Sequence, residues 1–192
     1  MKILNICIDI DGTITDPYYW LSYANNYFNS NISESQITSY DISKVLNVDR
    51  NDYLEFYEKY KFEIHTKQAL RDDVKDALEM LHKFNNLYFV TARDKSLELL
   101  TYLYLLDHEI PFDEVFLLGS HNKVPKARDL NCDLFIEDCY DNAMLLSNNG
   151  FKVILMDTNY NRFPLNSNII RASNWDEVLQ IIIEISKEKK AV

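Results

Sequence analysis

The chain is short of several features that mark large protein classes. Only three of its 192 residues are glycine, and none opens a Gly-rich loop ending in Lys-Ser or Lys-Thr. The phosphate cradle of P-loop kinases and ATPases is therefore missing. Cys7, Cys132 and Cys139 are scattered, lack paired metal-ligand spacing and sit in or beside apolar runs. They read as reduced core residues of a cytoplasmic protein, not as a disulfide frame. No stretch is long and apolar enough to span a bilayer, and Asp9 interrupts the N-terminal run that a signal peptide would need. Positive charge is scarce too: 20 Lys and Arg against 30 Asp and Glu give a net charge of −10, with a pI near 4.8. That field disfavours a nucleic-acid polymer or an anionic membrane as partner. A small phosphorylated substrate fits only where a cation and local positive groups offset it. Internal repeats and low-complexity tracts are absent.

What remains is a globular composition, 47% hydrophobic and 13% aromatic, long enough for one domain or one domain with an insertion. Short apolar runs fall at 4–10, 87–91, 114–118, 134–137 and 153–156. Helical patterns lie at 74–84, 95–106, 124–130, 143–149 and 175–187. Strands separated by helices of this length imply crossovers, hence an α/β fold with a mostly parallel sheet flanked by helices. Residues 16–70 depart from the pattern. They hold no strand-like run but many aromatics (Tyr18, Tyr19, Trp20, Tyr23, Tyr27, Phe28), and an amphipathic segment at 50–60. The reading is a small helical cap, 16–70, inserted into a core of 1–15 and 71–192. Its aromatics are by default its own packing.

The densest chemistry is Asp9-Ile10-Asp11-Gly12-Thr13, at the mouth of the first apolar run. Asp9 and Asp11 are two apart, so extended backbone projects them to one side. Gly12 permits a sharp turn and a close approach of backbone N–H groups to an anion. Ligands in an open parallel sheet bind beyond the carboxyl ends of the strands. Other polar groups collect there: Thr91-Ala92-Arg93, Gly119 to Lys123, and Glu137-Asp138 with Asp141 and Asn142 beyond. Thr91 and Lys123 suit a phosphate group. Asp9 and Asp138 offer hard oxygen ligands for Mg²⁺.

This ordered set resembles the haloacid dehalogenase-like phosphatase superfamily. Asp9, Asp11 and Thr13 meet its Asp-x-Asp-x-Thr signature, Thr91 its second motif, Lys123 its third and Glu137-Asp138 its acidic fourth. Lys126 competes with Lys123, and Asn142 stands where many relatives carry another acid. The resemblance implies a Rossmann-like core with a helical cap after the first strand. It also implies a Mg²⁺-dependent phosphomonoesterase. Asp9 would be its nucleophile, forming an aspartyl-phosphate, and Asp11 its general acid and base. The metal would be held by Asp9, Asp138 and the Asp11 backbone carbonyl. Gly12, Thr13, Thr91, Ala92, Arg93 and Lys123 would surround the substrate.

Within the superfamily the cap position and Thr91-Ala92-Arg93 are most similar to the 5′-nucleotidase group related to the deoxyribonucleotidases. That implies (deoxy)nucleoside monophosphates as substrates, with Tyr18 or Trp20 stacking on the base. The alternatives are a phosphatase of sugar phosphates or other small metabolites, and a silent phosphate-binding module, against which the intact Asp9 and Asp11 argue. A homo-oligomer is compatible with the sequence, and neither it nor a role for His121 is specified.

Overall fold

Apolar runs with β-branched residues become strands, and the amphipathic stretches between them become the crossovers that return the chain to the same edge of the sheet. The computed structural model describes residues 3–190, with side chains through 187. Six strands, β1 (Asn5–Ile8), β2 (Asn86–Thr91), β3 (Glu114–Leu117), β4 (Leu134–Glu137), β5 (Lys152–Met156) and β6 (Ile169–Ala172), form one sheet in the order β3-β2-β1-β4-β5-β6. Every pairing is parallel. The expected α/β architecture is thus present, with one strand more than the apolar runs suggest. β6 is a four-residue edge strand carrying Arg171, too short and too polar to stand out in the sequence.

Helices cover both faces. Ile6 and Ile8 of β1 point into one core shared with α4 (Val74–His82), α5 (Glu98–Asp107) and α8 (Trp175–Lys190). Cys7, between them, points to the other face, where α6 (Val124–Asp129) and α7 (Tyr140–Asn148) pack. This period of two, apolar on both sides, is why the central strands read as continuous hydrophobic runs. The chain runs outward from β1 to β3, then returns to lay β4 on the opposite side of β1. The carboxyl ends of β1 and β4 therefore flank the point where the strand order reverses, the usual crevice of such sheets.

Residues 16–70 contain α1 (Leu21–Phe28), α2 (Ile42–Leu46) and α3 (Arg50–Lys67), and no strand. Asp41 and Asp49 start α2 and α3 by accepting from Ser43 N and Asn51 N. A separate apolar cluster holds these helices together around Trp20, Ala24, Ile37, Phe56 and Ile64. Several aromatics expected as internal packing behave so: Tyr27, Phe28, Phe56 and Tyr60 form a set of mutual ring contacts. The segment leaves and rejoins the sheet through one small antiparallel bridge, Thr15 to Leu70, flanked by Asp16 N donating to Ala69 O and Arg71 N to Ile14 O.

Candidate active site

Because Ile8 is in register with Ile136, the next residues along, Asp9 and Glu137, emerge side by side. Asp9 N still donates to Ile136 O at 3.0 Å, so its backbone is fixed to β4. Lys123, just before α6, buries its side chain between the two acids, with Nζ 2.6 Å from Asp9 Oδ1 and 2.6 Å from Glu137 Oε1. Lys126, its competitor in the sequence, lies on the partly exposed side of α6 over the Phe116 ring, 3.7 Å from Asp129. Glu137 is wholly buried and fully used. It accepts from Lys123 Nζ, from Asn142 Nδ2 at 3.1 Å, and from the backbone amides of Asp138 and Cys139. Asn142, where relatives of the resembled family often carry an acid, thus serves as a donor that orients Glu137. Asp141 is exposed at the start of α7.

Asp9, Glu137 and Asp138 bring carboxylate oxygens within 4.8 Å of one another, all buried. Burial pushes the Asp9 carboxyl above its ordinary range, as do Glu137 and Asp138, while Lys123 pulls it down. Asp138 is pushed up to about 7 by burial and by the charge of Glu137. Burial alone would lower Lys123, but Asp9 and Glu137 outweigh it and keep the ammonium charged. One lysine against three buried acids leaves negative charge uncompensated, and hard oxygens in excess of their cations are what a divalent ion requires. The residues present therefore fit Mg²⁺. Asp9 and Asp138 are the two that could hold it, since Glu137 is committed to Lys123 and the backbone.

The turn after β1 explains Gly12. Its φ is +79°, and a Cβ there would stand 2.3 Å from Asp138 Oδ2 and 2.9 Å from the Tyr160 hydroxyl oxygen. Glycine is required for both conformation and space. Its amide is not turned outward as the sequence suggests: Gly12 N donates to Thr15 Oγ1 at 3.1 Å, and Thr13 N to Ile10 O at 3.2 Å. Thr13 Oγ1 donates to Asp138 Oδ1 at 3.3 Å, and its carbonyl accepts from the buried Trp175 indole. Arg71 grips the Gly12 carbonyl with Nε and Nη2 at 2.9 and 2.7 Å. Asp138 is held further by the Tyr160 hydroxyl and, through its carbonyl, by Asn161 Nδ2 at 2.7 Å.

Asp11 does not share the partners of Asp9, as equal projection from an extended strand would require. β1 ends at Ile8 and the chain turns. Asp11 meets Arg93 in a two-pronged pair, Nε to Oδ2 at 2.8 Å and Nη2 to Oδ1 at 2.7 Å. Arg93 Nη1 donates to Thr101 Oγ1 at 2.9 Å. The arginine expected around the substrate thus pairs with an internal carboxylate, and it also lines the cavity beside it. His65 of α3 sets Nδ1 3.2 Å from Asp11 Oδ1. Burial would raise the Asp11 carboxyl, but Arg93 and His65 together hold it far below the usual range. Thr91 is buried at the end of β2, its Oγ1 accepting from Arg93 N at 3.2 Å, and Ala92 is half-exposed beside it.

Above these groups lies a cavity of about 400 Å³ between the sheet edge and residues 16–70. Asp11, Gly12, Ala92, Arg93 and Asp138 form its floor, and Tyr19, Trp20, Tyr40, Tyr53 and Tyr57 its walls, with Arg50 and His121 also lining it. Trp20 lines this cavity as the sequence suggests. Tyr18 does not: it packs edge-on to Tyr160, and its hydroxyl accepts from Asn159 N. Tyr53 and Tyr57, one helical turn apart on α3, present near-parallel rings (22°) to it, although the sequence marks them only as packing. Tyr160, Asn161, Arg71, His65 and Gln68 also escape a reading of the sequence. Their only local signal is polar residues bordering apolar ones.

Comparison with known proteins agrees with this geometry. The family description "5' nucleotidase, deoxy (Pyrimidine), cytosolic type C protein" matches residues 2–189. A nucleotidase of Clostridium acetobutylicum is 57% identical over 192 residues, the whole of both chains. A 5'(3')-deoxyribonucleotidase of Bacillus subtilis is 28% identical over 179 residues, 90% of this chain and 95% of that one. Among solved structures, a haloacid dehalogenase-like hydrolase from Streptococcus pneumoniae superposes with a TM-score of 0.69 at 16% identity, covering 94% of this chain and 98% of that one. The chain has the fold of a haloacid dehalogenase-like hydrolase, belongs to the type C 5'-nucleotidase family and is, with that family, a phosphoric monoester hydrolase.

Proposed function

We propose that the chain hydrolyses (deoxy)nucleoside 5′-monophosphates through a phosphoenzyme formed on Asp9, with Mg²⁺ held by the carboxylates of Asp9 and Asp138 and, as the family resemblance implies, the Asp11 carbonyl. The carrying observation is a buried Asp9 beside Lys123 and Asp138, of which Asp138 reaches the floor of a cavity walled by tyrosines. When bound, Mg²⁺ supplies charge that offsets both the carboxylates and the phosphoryl oxygens.

Asp9 attacks phosphorus as its ester bond to the nucleoside oxygen breaks, and Asp11 in its protonated form gives that oxygen its proton. The dianionic phosphate opposes Arg93 and raises the proton affinity of Asp11 while substrate is bound. Water then attacks the aspartyl-phosphate. Asp11, now ionised, takes the water's proton, and inorganic phosphate leaves with Asp9 regenerated. Lys123 neutralises the transferring group, and Thr91 donates its hydroxyl proton to it while still accepting from the Arg93 amide. Gly12, Thr13 and Ala92 shape the floor.

Residues 16–70 act as the cap over a core of 1–15 and 71–192, excluding water from the reaction. The aromatic walls support a nucleobase rather than a bare sugar, which would call for more hydrogen-bonding groups. Three buried free cysteines fit a reducing compartment, and we place the protein in the cytoplasm. A phosphate-release screen of nucleotides, sugar phosphates and amino-acid phosphates, with Mg²⁺ and with EDTA, tests the reading. Nucleoside monophosphates should lead, and chelation should abolish turnover. A sugar phosphate as the best substrate would refute the nucleotide assignment.

A further inference from the structure

The unexplained feature of the site is how much of the protein is devoted to Asp11. Arg93 reaches it from the end of β2 with two donors, and its third is anchored by Thr101 of α5. Arg93, Thr101, His65 and Gln68 are all buried. With the Gln68 amide oriented to satisfy its neighbours, its nitrogen lies 3.1 Å from Asp11 Oδ1 and its oxygen faces Arg93 Nη2. Tyr104 of α5 fixes the same residue, its hydroxyl donating to the Gln68 carbonyl at 2.9 Å. His65 Nδ1 stands 3.2 Å from Asp11 Oδ1, and His65 Nε2 is 3.1 Å from the Tyr57 hydroxyl. With Tyr57 donating to Nε2, the ring's proton falls on Nδ1, which faces Asp11 Oδ1 without a closed hydrogen bond. Tyr57 also lines the substrate cavity.

We infer that Arg93 and His65 are positioning residues that aim the Asp11 carboxyl at the leaving oxygen, one gripping it from the sheet and the other from the inserted helices. The inference rests on the proposed role of Asp11. A two-pronged guanidinium fixes both the plane and the direction of a carboxylate, which a single lysine cannot do. His65 adds a contact that exists only while α3 sits over the sheet. Asp11 is therefore fully oriented only when the inserted segment is seated, and a substrate ring against Tyr57 favours that seating. Aligned proton transfer contributes roughly 10²–10⁴ in rate, so loosening the aim should cost part of that factor. In kcat/KM, which ends at departure of the leaving group, the loss should appear only where that group needs a proton, whereas hydrolysis of the phosphoenzyme, which also uses Asp11, is common to every substrate.

The leaving group supplies the test. A nucleoside alkoxide must be protonated as it departs, whereas p-nitrophenolate is a stable anion. The comparison is of kcat/KM for a deoxynucleoside 5′-monophosphate and for p-nitrophenyl phosphate, in native protein, Arg93→Lys, His65→Gln, Asp11→Asn and the combinations with Asp11→Asn. Arg93→Lys should cost roughly ten- to a hundredfold more on the nucleotide than on p-nitrophenyl phosphate. His65→Gln should do the same to a smaller degree. Both should add almost nothing once Asp11 is replaced by asparagine, because residues acting through one group are non-additive. Equal losses on both substrates, or full additivity with Asp11→Asn, would overturn the inference and leave the phosphatase reading standing. Native nucleotide turnover in Asp11→Asn would instead overturn the role of Asp11, and this inference with it. Should Arg93→Lys fail to fold, His65→Gln carries the same comparison.

Discussion

Lys123 Nζ stands 2.6 Å from Asp9 Oδ1, and the same nitrogen is 2.6 Å from Glu137 Oε1. Its side chain is only 1% exposed, so this ammonium neutralises two buried acids at once. Lys123→Met should destabilise the fold by about 3–5 kcal/mol, the usual cost of stranding buried charges, and reduce phosphate release to near background. Lys126→Met removes only a surface ion pair and a ring contact, a loss of under about 1 kcal/mol. Urea melts and initial rates of the two variants decide the matter. A larger activity loss at Lys126 would reassign the phosphate lysine.

Asp9→Asn removes one of three crowded carboxylates while keeping the shape of the side chain. Turnover should vanish, and the melting temperature without metal should hold or rise, because repulsion with Glu137 and Asp138 is relieved. Mass spectrometry must exclude deamidation back to Asp. Steady-state hydrolysis well above background in the verified Asp9→Asn variant would remove Asp9 from its role.

Gly12→Ala adds one carbon, which falls 2.3 Å from Asp138 Oδ2 at a φ of +79°. Strain of about 1–3 kcal/mol is expected from the backbone alone, and Asp138 must move. The Mg²⁺ concentration for half-maximal rate should rise at least about tenfold, since Asp138 is a proposed holder of the ion. An unchanged Mg²⁺ requirement would show that Asp138 does not serve the metal.

Asp138 is held up to about 7, above the ordinary 3.8. A raised carboxyl favours its protonated form, so this contribution to stability is complete below the unfolded value and is lost as pH rises through about 7. Metal-free protein should therefore melt lower at pH 8 than at pH 6. Mg²⁺ takes the ionised form, so its stabilisation should be larger at pH 8, and binding at pH 6 should release protons. Thermal melts at the two pH values, and calorimetry in buffers of different ionisation enthalpy, measure this. A Mg²⁺ shift independent of pH, with no proton release, would contradict it.

The ends of four strands are legible because a buried parallel strand announces itself by an apolar run, and the residues just past such a run must lie at the crevice. That places Asp9, Thr91, Lys123 and Asp138 together without further information. Lys123 separates from Lys126 because only the former precedes the helix. Partners are harder to read than places. Arg93 lies just past a strand end in the sequence, but residue type cannot say whether its anion is a substrate phosphate or Asp11. His65 and Gln68 lie more than fifty residues from Asp11 in the chain, and only the packing of α3 over the sheet brings them close. Tyr18 and Tyr19 are adjacent with opposite fates, one against Tyr160 and the other lining the cavity, because the turn preceding α1 points them apart. β6 is hidden because a four-residue edge strand interrupted by Arg171 lacks the length of an apolar run.

We propose that the cavity selects a nucleobase while the sheet edge performs the hydrolysis. The most direct measurement is kcat/KM, with Mg²⁺ present, for deoxynucleoside 5′-monophosphates against ribose 5-phosphate, which offers a comparable primary phosphate without a base. Stacking against the tyrosine wall is worth about 1–3 kcal/mol, so a preference of roughly 5- to 150-fold for the nucleotide is predicted. Tyr53→Ala and Tyr57→Ala should both shrink it. Equal kcat/KM values for the two substrates in the native protein would contradict the nucleotidase account.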